Sequence, residues 1–307
     1  MIKRHWVMSS FTMQGIRWNR EEPIVRPQEE DARLEGLADS SILIPTNPFA
    51  KGTAFFSKTL AITEFEIRKL RHDPSELITR AIQPLLWLLL FGAVFTRARA
   101  IPTGGIPYLD FLAPGILGQS ALFVSIFLGV AILWERDLGI TNKFLVSPTP
   151  RAALVLGKAL SASVRSLSQA IIIYVVAWLL GVKLNWNPLA IAGVISAVVL
   201  GAALFSTFSL IIACLVKTRE RFMGIGQLLT MPLFFASNAI YPLSLMPDWL
   251  RVVSLVNPLS YQVDALRALM LQDGVSNFGL AVDFAVLSVS TVVLVMIGAR
   301  LYQRVVI

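Results

Sequence analysis

The chain has 307 residues, 55% of them hydrophobic and 15% charged, with a mean hydropathy of +0.68. A soluble chain carries about 25% charged residues, so this composition reads as an integral membrane protein. The single cysteine, Cys214, and the two histidines, His5 and His72, exclude an internal disulfide framework and argue against a metal site or a histidine-based triad; the net charge of +8 belongs to ends and loops rather than to a nucleic-acid-binding face.

The chain opens on "MIKRHWVMSSFTMQGIRWNREEP", whose apolar part is short and interrupted. No small-residue cleavage site follows, which makes it a poor signal peptide. Residues 1–54 mix charges with Pro and Ser without a sustained apolar period and read as a mobile cytosolic tail. The remainder, 55–307, reads as one all-α transmembrane domain.

Residues 55–72, "FFSKTLAITEFEIRKLRH", predict an amphipathic helix lying on the inner membrane surface. Phe55, Phe56, Leu60, Ile67 and Leu70 fall within an arc of about 140° at 3.6 residues per turn, with Lys58, Glu64, Arg68, Lys69 and Arg71 mostly opposite. Ile62 and Phe65 break the pattern, and the alternative is a simple extension of the first span.

Six segments are long and apolar enough to cross a bilayer, which takes roughly 20 residues. They cover about 77–96, 111–134, 154–182, 189–216, 222–243 and 278–299. Residues 244–274 hold apolar runs too short to cross, cut by Pro247 and Pro258, and predict two short outer helices that dip into the bilayer and return. Asp264 and Arg267, spaced i,i+3 there, are placed to pair. Three Pro-marked starts punctuate the pattern: Asp73–Pro74, Thr149–Pro150 and Asn257–Pro258. Pro84 and Pro232 fall inside spans and predict kinks.

Basic residues set the orientation. With the N-terminus inside, five of the 27 Lys and Arg residues (Arg97, Arg99, Lys183, Arg251 and Arg267) fall outside. Both termini are therefore expected in the cytoplasm. Trp134, Trp178 and Trp186 lie near span ends, where aromatic belts form.

No phosphate-binding loop of the form G-x-x-x-x-G-K-[ST] is present, nor H-E-x-x-H or G-x-S-x-G. No catalytic residue, metal ligand or cofactor-binding residue is therefore assigned. Residues 184–216 and 222–247 hold no charge, whereas ion-coupled carriers place ionisable groups at mid-membrane. An ion-coupled secondary transporter of small molecules is the alternative reading, and an external energy source fits better. Gln119, Gln169, Gln227 and Asn238 are polar groups within spans, candidates either for helix–helix bonds or for lining a substrate route.

Between the second and third spans runs "ERDLGITNKFLVSPTPRAALVLGK", residues 135–158. Gly139 permits a bend, and Ser147-Pro148-Thr149-Pro150 ends one helix and starts another. A short cytosolic helix between two membrane helices is suited to receive a push; the alternative is a plain loop. Lys158 and Arg165 are placed either to reach lipid phosphates or to join this element.

This stretch resembles the ABC type-2 permease family, whose members carry E-R-[DE]-x-G-x-x-x-x-[LF]-L-x-[ST]-P-x-x-R-x-x-x-x-x-G-K here. "FLAPGIL" and "YPLSLMPDWLRVVSLVNPLSYQVDALRALML" are similar to the family too, and the resemblance covers about residues 55–305. It is nearest to the daunorubicin-resistance type of drug-export permease. One departure is Ile140 where the family usually has threonine. The resemblance implies the same six spans, interface helix, coupling helix and outer re-entrant helices. It implies coupling residues Glu135, Arg136, Gly139, Lys143, Phe144, Ser147 and Pro148, with Phe56, Leu60, Arg68 and Arg71 on the interface helix. It also implies a separate ATPase subunit in two copies that holds ATP and magnesium, and a second permease copy. The cargo implied is a drug, lipid or lipid-linked glycan crossing the plasma membrane.

Overall fold

A computed structural model describes Thr63, Glu64, Arg68 and residues 75–98, 101–103, 105–138, 151–216 and 218–302. Among the described residues eight α-helices have defined limits: α1 Ser75–Ala98, α2 Tyr108–Asp137, α3 Arg151–Leu179, α4 Pro188–Leu215, α5 Arg219–Phe235, α6 Asp248–Val256, α7 Pro258–Met270 and α8 Leu280–Leu301. Among the described residues the extended pairing is a single antiparallel bridge, Leu184 with Leu271. Of the predicted starts, Asp73–Pro74 and Thr149–Pro150 lie outside the described residues, as do the tail 1–54, most of the interface helix and residues 139–150.

Among the described residues five helices, α1 to α4 and α8, are long and apolar enough to cross a membrane. Apolar side chains face outward along them: Leu90 and Val94 on α1, Ile171 and Val175 on α3, Val289 and Val292 on α8. A helix apolar on its outer side as well as its inner side belongs in lipid.

The centre of the bundle is α2 against α4, with α3 and α8 packed on α4, and α1 and α5 on α2. Small residues permit the close approach. The Ser209 hydroxyl on α4 donates to the Ile126 carbonyl and accepts from the Gly129 amide at 3.1 Å, tying a side chain of α4 to the backbone of α2. A Cβ at Gly129 would lie 2.3 Å from that hydroxyl oxygen and from the Phe222 ring.

Asn187 caps α4, its Oδ1 accepting from Leu189 N at 3.0 Å with Pro188 next. Asn257 does the same for α7, as predicted. The Asn257 amide also donates to the Leu233 carbonyl at 2.7 Å and the Ala236 carbonyl at 3.3 Å. This explains a difference from expectation. The fifth apolar segment was expected to run to residue 243, yet α5 stops at Phe235. Its last carbonyls are met by a side chain from the start of α7, and the chain turns through buried residues 236–240.

α5 and the turn that follows it, residues 219–240, run antiparallel along α2. Arg219 at its start bonds Asp137 at the end of α2, while Tyr108 at the start of α2 donates to the Ile240 carbonyl at 3.2 Å. The two short helices predicted in 244–274 are α6 and α7. α6 exposes Trp249, Val252, Val253 and Val256. α7, about 20 Å long at 1.5 Å per residue, is wedged among α2, α4 and α8. Its Gln262 lies where Gly201 leaves room, since a Cβ there would sit 2.2 Å from the amide.

The expected Asp264–Arg267 pairing is not made as a close contact. Asp264 instead accepts from Ser276 Oγ, Asn277 N and Nδ2, and Phe278 N. Arg267 Nη2 donates to the Asn238 carbonyl at 2.7 Å, and the guanidinium lies 3.8 Å from the Phe111 ring centroid. Both groups are buried, and each finds partners in neighbouring elements better placed than the other.

Candidate functional site

At one end of the bundle the last turn of α2 reads Trp134-Glu135-Arg136-Asp137. Consecutive helical residues point about 100° apart, so these four side chains reach different neighbours. Glu135 turns inward. Both its carboxylate oxygens accept from Lys158 Nζ on α3, at 2.8 and 2.6 Å, and the two residues are 6% and 5% exposed. Burial at this level rules out the lipid-reaching role for Lys158. Arg165 is buried too.

Arg136 and Asp137 turn outward. Arg136 Nη1 donates to the Val216 carbonyl after α4, at 3.5 Å, and Nη2 to Asp137 Oδ1 at 3.2 Å. Asp137 Oδ2 accepts from Arg219 Nη2 at 2.5 Å, and the Arg219 guanidinium stacks 3.5 Å from the Trp134 ring centroid. One helix end is thus fixed to α3, α4 and α5 together. Residues 139–150 leave from this end and return at the start of α3. Of the expected coupling residues, Gly139, Lys143, Phe144, Ser147 and Pro148 lie in that stretch, outside the described residues.

Thr63, Glu64 and Arg68 are helical. Thr63 Oγ1 donates to the Gly157 carbonyl at 3.5 Å, one residue before Lys158, and Arg68 pairs with Glu64 at 2.6 Å on the exposed side. Phe56, Leu60 and Arg71 are outside the described residues.

The four polar residues expected along a route do not converge. Gln119 lines a cavity of about 220 Å³ between α1 and α2, with Arg80, Gln83, Ser120 and Phe123. Gln169 is buried on α3. Gln227 is exposed on α5. Asn238 lines a different cavity, of about 640 Å³, at the opposite end of the bundle from Glu135, where Asp110, Lys183, Arg267 and Asp273 also contribute. The sequence reading missed Asp137, Arg219 and this charged cavity. For the first two the only signal was a charge at the end of "ERD" and another in the middle of "KTRER"; the cavity joins residues from four separate stretches, which no local pattern announces.

The family model of the ABC-2 type transporter matches residues 57–271. The chain is 34% identical over 203 residues to the transport permease ycf38 of Cyanophora paradoxa, covering 66% of this chain and 70% of that one. Over 221 residues it is 26% identical to the daunorubicin resistance ABC transporter permease protein DrrB1 of Streptomyces coeruleorubidus, 72% of this chain and 77% of the relative. Over 180 residues it is 28% identical to nodulation protein J of Bradyrhizobium diazoefficiens, 58% of this chain and 68% of the relative. With its apolar helices and the fixed helix end that carries the E-R-D sequence, this chain belongs to the ABC-2 type transporter family of membrane permeases.

Proposed function

We propose that this chain is the transmembrane subunit of an ATP-driven exporter. It acts with two copies of a separate ATPase subunit and a second copy of itself, both termini in the cytoplasm, in the plasma membrane. The chain itself hydrolyses no ATP; nucleotide and magnesium sit on the ATPase subunit. The cargo is an amphipathic drug, a lipid or a lipid-linked glycan.

The observation that carries this reading is the fixing of α2 to α3 by the Glu135–Lys158 pair, which joins the first and the last residue of the stretch that resembles the family's signature. A push received by the segment that includes Gly139, Lys143, Phe144, Ser147 and Pro148 would pass into two helices at once rather than bend one. Glu135 then works as a positioning residue from inside the bundle. The helix holding Thr63 abuts the same turn of α3 through Gly157, which suits an interface helix over 55–72 that carries Arg68. Residues 55–307 form the transmembrane domain on this reading. α5, about 26 Å long at 1.5 Å per residue, is its short sixth crossing, and α6 with α7 forms a re-entrant pair.

The test is co-expression with a cognate ABC ATPase subunit, followed by purification and transport in inverted vesicles. A complex of two and two, with uptake that requires ATP and stops in Gly139→Pro, is the expected result. Uptake that survives ATP depletion and collapses with a protonophore would replace this reading with an ion-coupled carrier.

A further inference from the structure

The cavity of about 640 Å³ at the Lys183 end has a lining with unmet polar groups. Asn238 is 1% exposed, and neither its Oδ1 nor its Nδ2 has a hydrogen-bond partner. Arg267 is 3% exposed, and its Nε has none. Burying such groups unmet costs about 1–3 kcal/mol each, so native proteins retain few of them. Each of these three atoms exposes less than 1 Å² to water, so a ligand that uses them has to shift the side chains that cover them.

Arg267 is held in place from two sides, by the Asn238 carbonyl and by the face of Phe111. The carboxylate one turn away, Asp264, is taken up by residues 276–278. A pre-positioned cation beside an unused amide is a recognition element for an anionic oxygen. The same lining also carries two carboxylates, Asp110 and Asp273, and a second cation, Lys183, which lies against Asp110. Two charges of each sign make the cavity neutral as a whole and suit a ligand that carries both.

We propose that this cavity binds the zwitterionic head group of an amphiphile, its anionic oxygens on Arg267 and Asn238 and its amine facing the carboxylates. Ile106, Leu243 and Val275, also in the lining, offer apolar contact to the part of the molecule next to the head group. That the cavity opens on the outer side rests on the exporter reading; the binding chemistry does not.

The experiment uses the full chain purified in detergent, without any ATPase, and native mass spectrometry. The probes are dioctanoylphosphatidylethanolamine, dioctanoylphosphatidic acid, dioctanoylglycerol and O-phosphoethanolamine. The phosphatidylethanolamine should bind at least about tenfold more tightly than the two lipids that lack the amine or the whole head group. Asn238→Leu should weaken it about tenfold, the loss of one or two hydrogen bonds, while Tm holds or rises because an unmet buried amide is gone. A merely structural Asn238 would instead lower Tm and leave binding alone. Competition by O-phosphoethanolamine would show that the head group alone carries the recognition, and its failure to compete would show that the acyl chains contribute; both agree with the proposal. Equal binding of dioctanoylglycerol or of the phosphatidic acid, or wild-type binding by Asn238→Leu, would overturn it. Because no ATPase is present, such a failure would leave the exporter reading untouched, and a failed transport assay would leave the binding result standing.

Discussion

Lys158 on α3 grips both carboxylate oxygens of Glu135 on α2, at 2.6 and 2.8 Å, and both residues are buried. Removing one member of a buried pair costs about 3–5 kcal/mol, because the other charge stays behind. Replacing both with apolar residues of similar volume is often neutral or better. Glu135→Gln is therefore expected to lower the stability of the detergent-purified protein by about 3 kcal/mol. The double variant Glu135→Leu/Lys158→Met should recover most of that loss. Its ATP-dependent transport should stay below about a tenth of wild type, since a packed pair of apolar chains slides where a gripped carboxylate does not. Transport at the wild-type rate in the stable double variant would reduce the pair to packing.

A second test uses two glycines of the same bundle. A Cβ at Gly115 on α2 would lie 2.1 Å from the Ala239 carbonyl oxygen, a backbone atom with no freedom to swing aside. A Cβ at Gly224 on α5 meets nothing within 4 Å. Gly115→Ala should destabilise by about 1–3 kcal/mol through overpacking. Gly224→Ala should be neutral or stabilise by up to about 1 kcal/mol, the helix-propensity difference. Thermal unfolding of the two variants side by side decides it, and equal Tm values would contradict the close α2–239 approach.

Asn257 joins two roles in one side chain. Its Oδ1 caps α7, and its Nδ2 closes the end of α5. Asn257→Asp keeps the cap oxygen and loses the two donated bonds; Asn257→Ala loses all three. Asp should cost about 1–2 kcal/mol and Ala about 2–3 kcal/mol, from the usual values of caps and buried bonds. The order wild type, Asp, Ala in denaturant midpoints is the check. An Asp variant as stable as wild type would mean that the bonds from Ser237 and Tyr241 suffice to close the α5 end.

Topology can be tested at exposed positions on the two ends of the bundle. Leu138 follows the last turn of α2, and Val275 lines the opposite cavity. In intact cells an impermeant thiol reagent should label Val275→Cys and spare Leu138→Cys, with a variant lacking Cys214 as background. The reverse pattern would invert the orientation and remove the coupling role from residues 135–150.

Much of the fold was legible because lipid imposes a simple rule on sequence. Long apolar runs appeared as helices within a few residues of their expected limits, and Asn257–Pro258 capped its helix as its chemistry suggests. The expected end of the fifth segment failed for a physical reason. Apolar character continues past Phe235, but the helix does not: Asn257 takes the Leu233 and Ala236 carbonyls, Ser237 that of Phe234 and Tyr241 that of Phe235. Pairings were less legible than helices. Asp264 and Arg267 are one turn apart and still look elsewhere, whereas Glu135 and Lys158, 23 positions apart, meet. Of the site, the E-R-D end of α2 could be read from its motif. Which of its charges faces inward depends on the rotation of α2 against α3, which tertiary packing alone sets.

α7 follows α5 in the chain but is enclosed by α2, α4 and α8, and it carries buried Gln262, Asp264 and Arg267. Such a segment meets a steep barrier in bare lipid. It also has little to dock on until α2 and α4 have joined at Ser209 and Gly129. The order of assembly during synthesis is thereby constrained: the central pair closes first, α7 is held at the water boundary, and the arrival of α8 seals it.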